Sequence, residues 1–255
     1  MSAAPQLFPT DPIAVFLDFD GTLVHIVERP DLVQFPASLP TMLRDTYTAL
    51  NGALALVTGR SITSLDALLE PLQLPTAGVH GIEYRDSSGE IQSVSAPPLP
   101  DWARTELASL AASTPGLLLE DKGHGIALHY RQAPDHETRV RESITSIFAK
   151  LGTDFAIQEG KMVLELRPAC ATKGTAVARF MEHPPFAGRQ PVFIGDDITD
   201  EDAFRAVNEL DGYSIKVGRR QSGSAARYEL ADIEAVREWL LPLTQANSEQ
   251  TKRSS

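Results

Sequence analysis

The chain predicts an α/β fold: a mostly parallel, Rossmann-like sheet with a smaller α+β domain inserted into it. Three observations lead there. Continuous apolar runs such as Ile13–Leu17 and Ala53–Val57 have the composition of strands buried on both faces. Amphipathic stretches alternate with these runs at both ends of the chain, as a parallel sheet covered by helices requires. The middle of the chain departs from that pattern and repeats helix, strand, strand twice.

Taken in order, Val15–Leu17 is the first strand. Ala37 to Asn51 has helical spacing, with Leu39, Met42, Leu43, Tyr47 and Leu50 apolar and Gly52 just beyond as a stop. Ala53–Val57 is a second strand ending at Thr58-Gly59-Arg60. Ser61 is placed to cap a helix running through Glu70, with Pro71 ending it. Thr76–Val79 is a short strand, and Tyr84–Val94 is a hairpin turning at Ser87-Ser88-Gly89. After the middle region come a helix over Thr172–Glu182, a strand at Val192–Ile194, a helix over Asp200–Val207, a strand at Tyr213–Val217 and a helix over Asp232–Leu241.

In the insertion, helices are expected over Asp101–Ser113 and Asp135–Leu151. Leu117–Glu120 and Ile126–Arg131 follow the first, and Asp154–Gln158 and Met162–Arg167 follow the second. Such a unit is a small antiparallel sheet with helices on one face. Pro97, Pro98, Pro100 and Pro168 mark plausible hinges. The expected domains are 1–95 with 168–244 as the core, 96–167 as the insertion, and 245–255 as a polar, disordered tail.

The 255 residues suffice for a substantial core, and no apolar run approaches the roughly 20 residues that span a bilayer. Met1–Pro12 lacks the basic and apolar regions of a secretory leader. One cysteine, Cys170, excludes an internal disulfide and points to the cytoplasm. A formal net charge of −11 argues against general nucleic-acid or membrane-surface binding. An anionic small-molecule substrate stays open, because a metal and a few cations set the field within a site. A monomer is expected.

Four sites carry candidate chemistry. Asp18-Phe19-Asp20-Gly21-Thr22-Leu23 emerges at the C-terminal end of the first strand, where open α/β sheets bind ligands. Carboxylates there can serve as nucleophile, proton donor or metal ligand. Phe19, between them, is expected to point into the core. Thr58, Gly59 and Arg60 offer a hydroxyl and backbone N–H groups for phosphate at a helix N-terminus, although Thr58 and Ser61 are also ordinary capping residues. Lys173 lies near a helix start, against the dipole, which suggests an anionic neighbour. Gly195-Asp196-Asp197-Ile198-Thr199-Asp200-Glu201 packs four acids into six residues after a strand, a self-repelling arrangement unless a cation is bound. A capping box of Thr199 and Asp202 would account for part of that charge, but not for the Asp196-Asp197 pair.

The hexapeptide resembles the DxDGT(L/V) signature of haloacid-dehalogenase-like phosphotransferases at every defined position. The order DxD, Thr-Gly-Arg, Lys, GDDxTD resembles all four of their motifs, and the insertion corresponds to their C2-type cap. The resemblance implies that Asp18 is the nucleophile, passing through an aspartyl-phosphate, and that Asp20 is the general acid/base. It places Mg²⁺ on the Asp18 carboxylate, the Asp20 carbonyl and Asp196, with Asp197 and Asp200 in support. Thr58, Gly59, Arg60 and Lys173 would hold the phosphate.

The insertion narrows the family. Glu120-Asp121-Lys122, His129-Tyr130-Arg131 and Gly160-Lys161-Met162-Val163-Leu164-Glu165-Leu166-Arg167-Pro168 resemble cap motifs of trehalose-6-phosphate phosphatases, as does Gly78-Val79-His80-Gly81-Ile82-Glu83. That resemblance runs from about Val15 to Leu241. It implies Mg²⁺-dependent hydrolysis of trehalose 6-phosphate to trehalose and phosphate, the last step of trehalose biosynthesis. Glu120, Lys122, Lys161 and Glu165 would bind the distal glucose, and Arg131 would reach the substrate near its phosphate end. Strand parity puts Lys161 and Glu165 on one face, and Glu120 and Lys122 on one face. The alternatives are a sucrose-phosphate or mannosylglycerate-phosphate phosphatase, a phosphomutase of the same fold, and a non-enzymatic sugar-phosphate sensor. The last would normally have lost one of Asp18, Asp20, Lys173 or Asp196.

Overall fold

Strands that are apolar on both sides must be covered on both sides, and the central strands of the larger sheet are. The computed structural model describes residues 2–27, 32–219 and 222–244. In chain order the strands are β1 (Ser2–Ala3), β2 (Ile13–Leu17), β3 (Leu54–Val57), β4 (Thr76–Gly78), β5 (Glu83–Arg85), β6 (Ile91–Ser93), β7 (Leu118–Asp121), β8 (Ile126–His129), β9 (Phe155–Gly160), β10 (Val163–Pro168), β11 (Gln190–Gly195), β12 (Tyr213–Val217) and β13 (Tyr228–Leu230). The helices are α1 (Leu39–Ala49), α2 (Ile62–Leu69), α3 (Asp101–Ala112), α4 (Glu137–Leu151), α5 (Lys173–Met181), α6 (Glu201–Glu209) and α7 (Ile233–Thr244). Every residue of β2 and β3 is buried.

The chain forms two units. One takes the described residues of Met1–Ser93, Lys173–Asp196 and Asp200–Ser255, and the other takes Val94–Thr172 with Asp197–Thr199. The first holds a nine-stranded sheet of order β1-β13-β12-β11-β2-β3-β4-β5-β6. It is parallel from β1 to β4, and the hairpin β5–β6 extends it antiparallel. Central β2 continues to β3 on one side and meets β11 on the other, so the strand order reverses beside β2. Edge strand β1 and its neighbour β13 are too short for any apolar run to announce them.

Helix bounds follow local chemistry. Ser61 caps α2 as expected, its Oγ accepting from Ser64 N at 3.2 Å. Helix α1 buries Leu39, Leu43, Thr46 and Ala49 on one stripe and ends before Asn51 and Gly52, both at positive φ. The capping box proposed for Thr199 and Asp202 does not form. A 3₁₀ turn over Ile198–Asp200 precedes α6, and Asp200 is its N-cap without a side-chain cap bond. The helix starts one residue later than the box requires, and the Asp202 carboxylate accepts from Arg205 at 2.8 Å instead.

In the second unit the four strands run β7-β8-β10-β9, all antiparallel. Leu128, Leu164 and Leu166 pack with Leu107 of α3 and Val140, Ile144 and Ile147 of α4, so the helices cover one face, as alternation requires. All four strands shift from their expected bounds, two of them at candidate site residues. Val163 pairs with Gly160, which leaves Lys161 and Met162 as a two-residue turn with Met162 at φ 64. Strand β8 stops at His129, before Arg131. The tail expected to be disordered, 245–255, lies outside the described residues. Among the described residues no helix is long and apolar enough to cross a membrane.

The core of the first unit centres on an aromatic cluster in which Phe180 of α5 lies 4.5 Å from Tyr84, 4.9 Å from Phe186 and 5.8 Å from Phe16, centroid to centroid. Phe180 is fully buried. Phe180→Ala is expected to destabilise the protein by about 3–5 kcal/mol, read from urea unfolding. A change below about 1 kcal/mol would show that this ring is not integral to the core.

Candidate active site

The parallel register brings three strand ends level. Leu17 lies opposite Leu56 on one side and Ile194 on the other. Asp18, Thr58 and Asp196 therefore leave the sheet along one edge, the carboxyl edge. Asp18 N donates to Ile194 O at 3.0 Å and Thr58 N to Ala77 O at 2.9 Å, so backbone bonds continue the sheet up to each of these two residues.

Here acidic groups meet a buried ammonium. Lys173 Nζ donates to Asp18 Oδ1 at 2.7 Å and to Asp200 Oδ1 at 2.6 Å. Lys173, Asp18 and Asp200 are all buried, and Asp196 is 8% exposed. Oxygens of Asp18, Asp196 and Asp200 lie within 4.8 Å of one another. Burial pushes the Asp18 carboxyl well above its ordinary value; Lys173 opposes that shift, and Asp200 and Asp196 add to it. Burial works to lower the Lys173 value, but Asp18 and Asp200 outweigh it and hold the ammonium above its ordinary value. The Asp18 shift comes first from burial, and the Lys173 shift from its two anionic neighbours. Two glycines make the crowding possible. A Cβ on Gly21, at φ 88, would run into the Asp196 carboxylate, and one on Gly195 into the Asp200 carboxylate.

This donor set suits a hard divalent cation. It is all carboxylate oxygen, its separations allow a shared ion, and the excess charge favours one. The structure brings Asp18, Asp196 and Asp200 of the expected acids together. Asp197 groups with the second unit and is not among them.

Asp20 has a different partner. Both its oxygens accept from Arg60, at 2.6 Å from Nε and 2.7 Å from Nη2. The Arg60 guanidinium, expected to hold phosphate, is thus engaged by a carboxylate and also lies over the Phe19 ring. A bidentate pair of this kind is strong and geometrically exacting. Phe19 is buried in the core. Thr58 Oγ1 accepts from Arg60 N at 3.1 Å, which leaves its hydroxyl proton to be donated elsewhere.

The face of the second sheet opposite its leucines is polar. The register places Glu120, Ala127, Glu165 and Gln158 in one row across it. Lys122 Nζ donates to Glu165 Oε2 at 2.7 Å, and His129 Nε2 meets Glu120 Oε2 at 3.0 Å. Burial acts to raise Glu120, but His129 and Lys122 outweigh it and hold the carboxyl below its ordinary value. Lys161 lies in the β9–β10 turn, so strand parity does not aim it with Glu165. Arg131 Nη2 donates to the Lys161 carbonyl at 3.0 Å and so braces that turn.

Sequence reasoning assigned no role to two residues. His129 shares the outward parity of Ala127 in β8, a signal for the polar face. Lys216 is buried in β12 and donates to Asp196 O at 2.6 Å. A lysine in an otherwise apolar strand was the available clue. His25 is exposed, 3.8 Å from Glu234.

A parallel sheet bearing Asp18, Lys173 and Asp196 on its carboxyl edge, with an α+β unit inserted in the chain, is the architecture of haloacid-dehalogenase-like phosphatases. The trehalose-phosphatase family profile matches residues 16–234. A probable trehalose-phosphate phosphatase of Sinorhizobium fredii is 46% identical over 227 residues, covering 89% of this chain and 86% of that protein. The trehalose-6-phosphate phosphatase of Escherichia coli is 43% identical over 240 residues, covering 91% and 87%. The C-terminal domain of Candida albicans trehalose-6-phosphate phosphatase has the same fold, with a TM-score of 0.82 at 23% identity over 92% of this chain and 93% of that one. This chain belongs to the trehalose-phosphatase family.

Removing Lys173 leaves Asp18 and Asp200 buried without their shared cation. Lys173→Met is therefore expected to lower stability at neutral pH by about 3–5 kcal/mol, as measured by chemical unfolding. Unchanged stability would mean that these carboxylates are not charged in the folded state.

Proposed function

We propose that this protein hydrolyses trehalose 6-phosphate to trehalose and inorganic phosphate, with Mg²⁺ as its metal. The observation that carries the reading is the Asp18–Lys173–Asp196–Asp200 cluster in a chain 46% and 43% identical to relatives named for this activity. The single cysteine supports a cytoplasmic location.

Asp18 presents a carboxylate oxygen to phosphorus. As the Asp18–phosphorus bond forms, the bond from phosphorus to the sugar oxygen breaks. Asp20 protonates that leaving oxygen, and afterwards takes a proton from the water that hydrolyses the aspartyl-phosphate. Arg60 takes one lone pair on each Asp20 oxygen, which leaves the carboxyl lone pairs through which to carry that proton. Lys173 offsets repulsion between Asp18 and the dianion and stabilises charge on the transferring group. Thr58 donates its hydroxyl to a phosphate oxygen, beside Gly59 and Arg60. Asp18 and Asp196 would hold Mg²⁺ with the Asp20 carbonyl, supported by Asp197 and Asp200. When bound, the ion supplies further positive charge to the transferring phosphoryl group. On the second unit, Glu120, Lys122, Lys161 and Glu165 recognise sugar hydroxyls through charged hydrogen bonds, and Arg131 acts nearer the phosphate.

The direct test is phosphate release from a panel of sugar phosphates with and without Mg²⁺. The reading needs a preference for trehalose 6-phosphate above roughly tenfold, about 1.4 kcal/mol in transition-state binding. A weaker preference moves the assignment to another sugar phosphate.

Asp18→Asn is expected to reduce turnover to less than about a hundredth, since it removes the attacking oxygen while nearly preserving shape. Greater residual activity in single-turnover assays would place the nucleophile elsewhere.

Glu165→Ala is expected to lower kcat/KM for trehalose 6-phosphate by roughly ten- to a hundredfold. Hydrolysis of a small aryl phosphate should stay within about twofold, since that ester offers no sugar hydroxyls. An unchanged ratio of the two activities would show that Glu165 does not read the sugar.

A further inference from the structure

The segment Gly78–Glu83 follows β4 and carries the most unusual backbone near the site. Val79, His80 and Gly81 are consecutively at positive φ, 47°, 56° and 105°. The left-handed region is unfavourable for a β-branched residue such as valine, so neighbouring contacts must hold it there. Several of those contacts are on the Thr58–Ile62 loop. Val79 N donates to Arg60 O at 2.9 Å, and His80 N to Thr58 O at 3.0 Å, gripping the loop on both sides of Gly59. The buried His80 ring stands over Gly59, where an added Cβ would lie 2.8 Å from Cε1 and Nε2. Glu83 Oε2 accepts from Ile62 N, the first residue of α2, at 2.7 Å. Gly78 has to be small, since a Cβ would meet Arg60 O at 2.9 Å and Glu83 Oε2 at 3.0 Å.

We infer that Gly78–Glu83 is a strained mould for the phosphate loop, in which His80 and Glu83 are positioning residues that hold Thr58 and Arg60 in working geometry. The inference rests on the phosphatase reading and extends it. None of the contacts above is to a sugar-recognising residue, so the mould acts on phosphoryl transfer from any ester. Its loss should misplace the Thr58 hydroxyl and the root of the Arg60 side chain, and displacements of about 1 Å at such groups cost up to a hundredfold.

The test compares His80→Asn with wild type on trehalose 6-phosphate and a small aryl phosphate, with inorganic phosphate as competitive inhibitor. Asparagine tolerates the left-handed backbone, so the change removes the ring and keeps the turn. We expect kcat/KM to fall about ten- to a hundredfold, by the same factor for both esters, with weaker inhibition by phosphate. A size exchange makes the case independent of folding. Gly59→Ala should be equally impaired through collision with the ring, and Gly59→Ala with His80→Gly should regain most of the loss, a coupling that a double-mutant cycle isolates. Glu83→Gln, which keeps the acceptor, should stay near wild type. The idea is overturned if His80→Asn keeps both activities and phosphate affinity, if only the trehalose ester is affected, or if the exchange gives no recovery. Failure of the substrate reading would appear separately, as absent preference for trehalose 6-phosphate in the wild-type protein.

Discussion

The first unit is organised around a charge that cannot be left alone. Asp18 and Asp200 are withdrawn from water and held by Lys173, and removing either sign would strand the other in a medium where unpaired charge is costly. Much of the surrounding architecture is a condition for that arrangement. Gly21 and Gly195 vacate the volume that the carboxylates of Asp196 and Asp200 fill. Lys173 opens α5 in spite of the dipole because two anions await it there. Lys216 anchors the Asp196 carbonyl from β12. A group of acids this close is poised to take up positive charge, the property that phosphoryl transfer demands of its site.

The second unit resolves a related problem by another route. Its sheet packs the leucines of one face against α3 and α4 and carries charged groups on the other, and strand alternation sorts the two with little ambiguity. On the polar face the charges are paired: Lys122 with Glu165, His129 with Glu120. Gln158 adds an acceptor for Arg167 at 3.0 Å.

Much of this was legible from residue order. The run Ile13–Leu17 became a strand with those bounds, because burial on both faces calls for apolar side chains, and Tyr213–Val217 did so with Ser214 and Lys216 buried in it. Asp18, Lys173, Asp196 and Asp200 were read as one constellation from their places at strand and helix ends. What escaped was set by pairing between distant segments. Nothing local says that Arg60 would turn to Asp20, forty residues away, or that Arg131 would brace a turn thirty residues on. The Lys161 turn was hidden because Met162 adopts a positive φ that its side chain does not advertise. The capping box of Thr199 and Asp202 was sound chemistry locally, but α6 takes Asp200 as its N-cap and the Asp202 carboxylate goes to Arg205. Strands β1 and β13 were missed because two or three residues carry no period.

On the function proposed above, the pairing on the polar face bears on how a sugar would bind there. Lys122 donates to Glu165, so a polyol that engaged both would do so partly by exchange, replacing a charged contact with hydroxyl contacts. Exchange yields little net affinity per contact, because what is made resembles what is lost. It is unforgiving of error, since a sugar that opens a pair without replacing both halves leaves a desolvated charge behind. Selectivity on such a surface would reside in the wrong ligands it penalises more than in the right one it rewards.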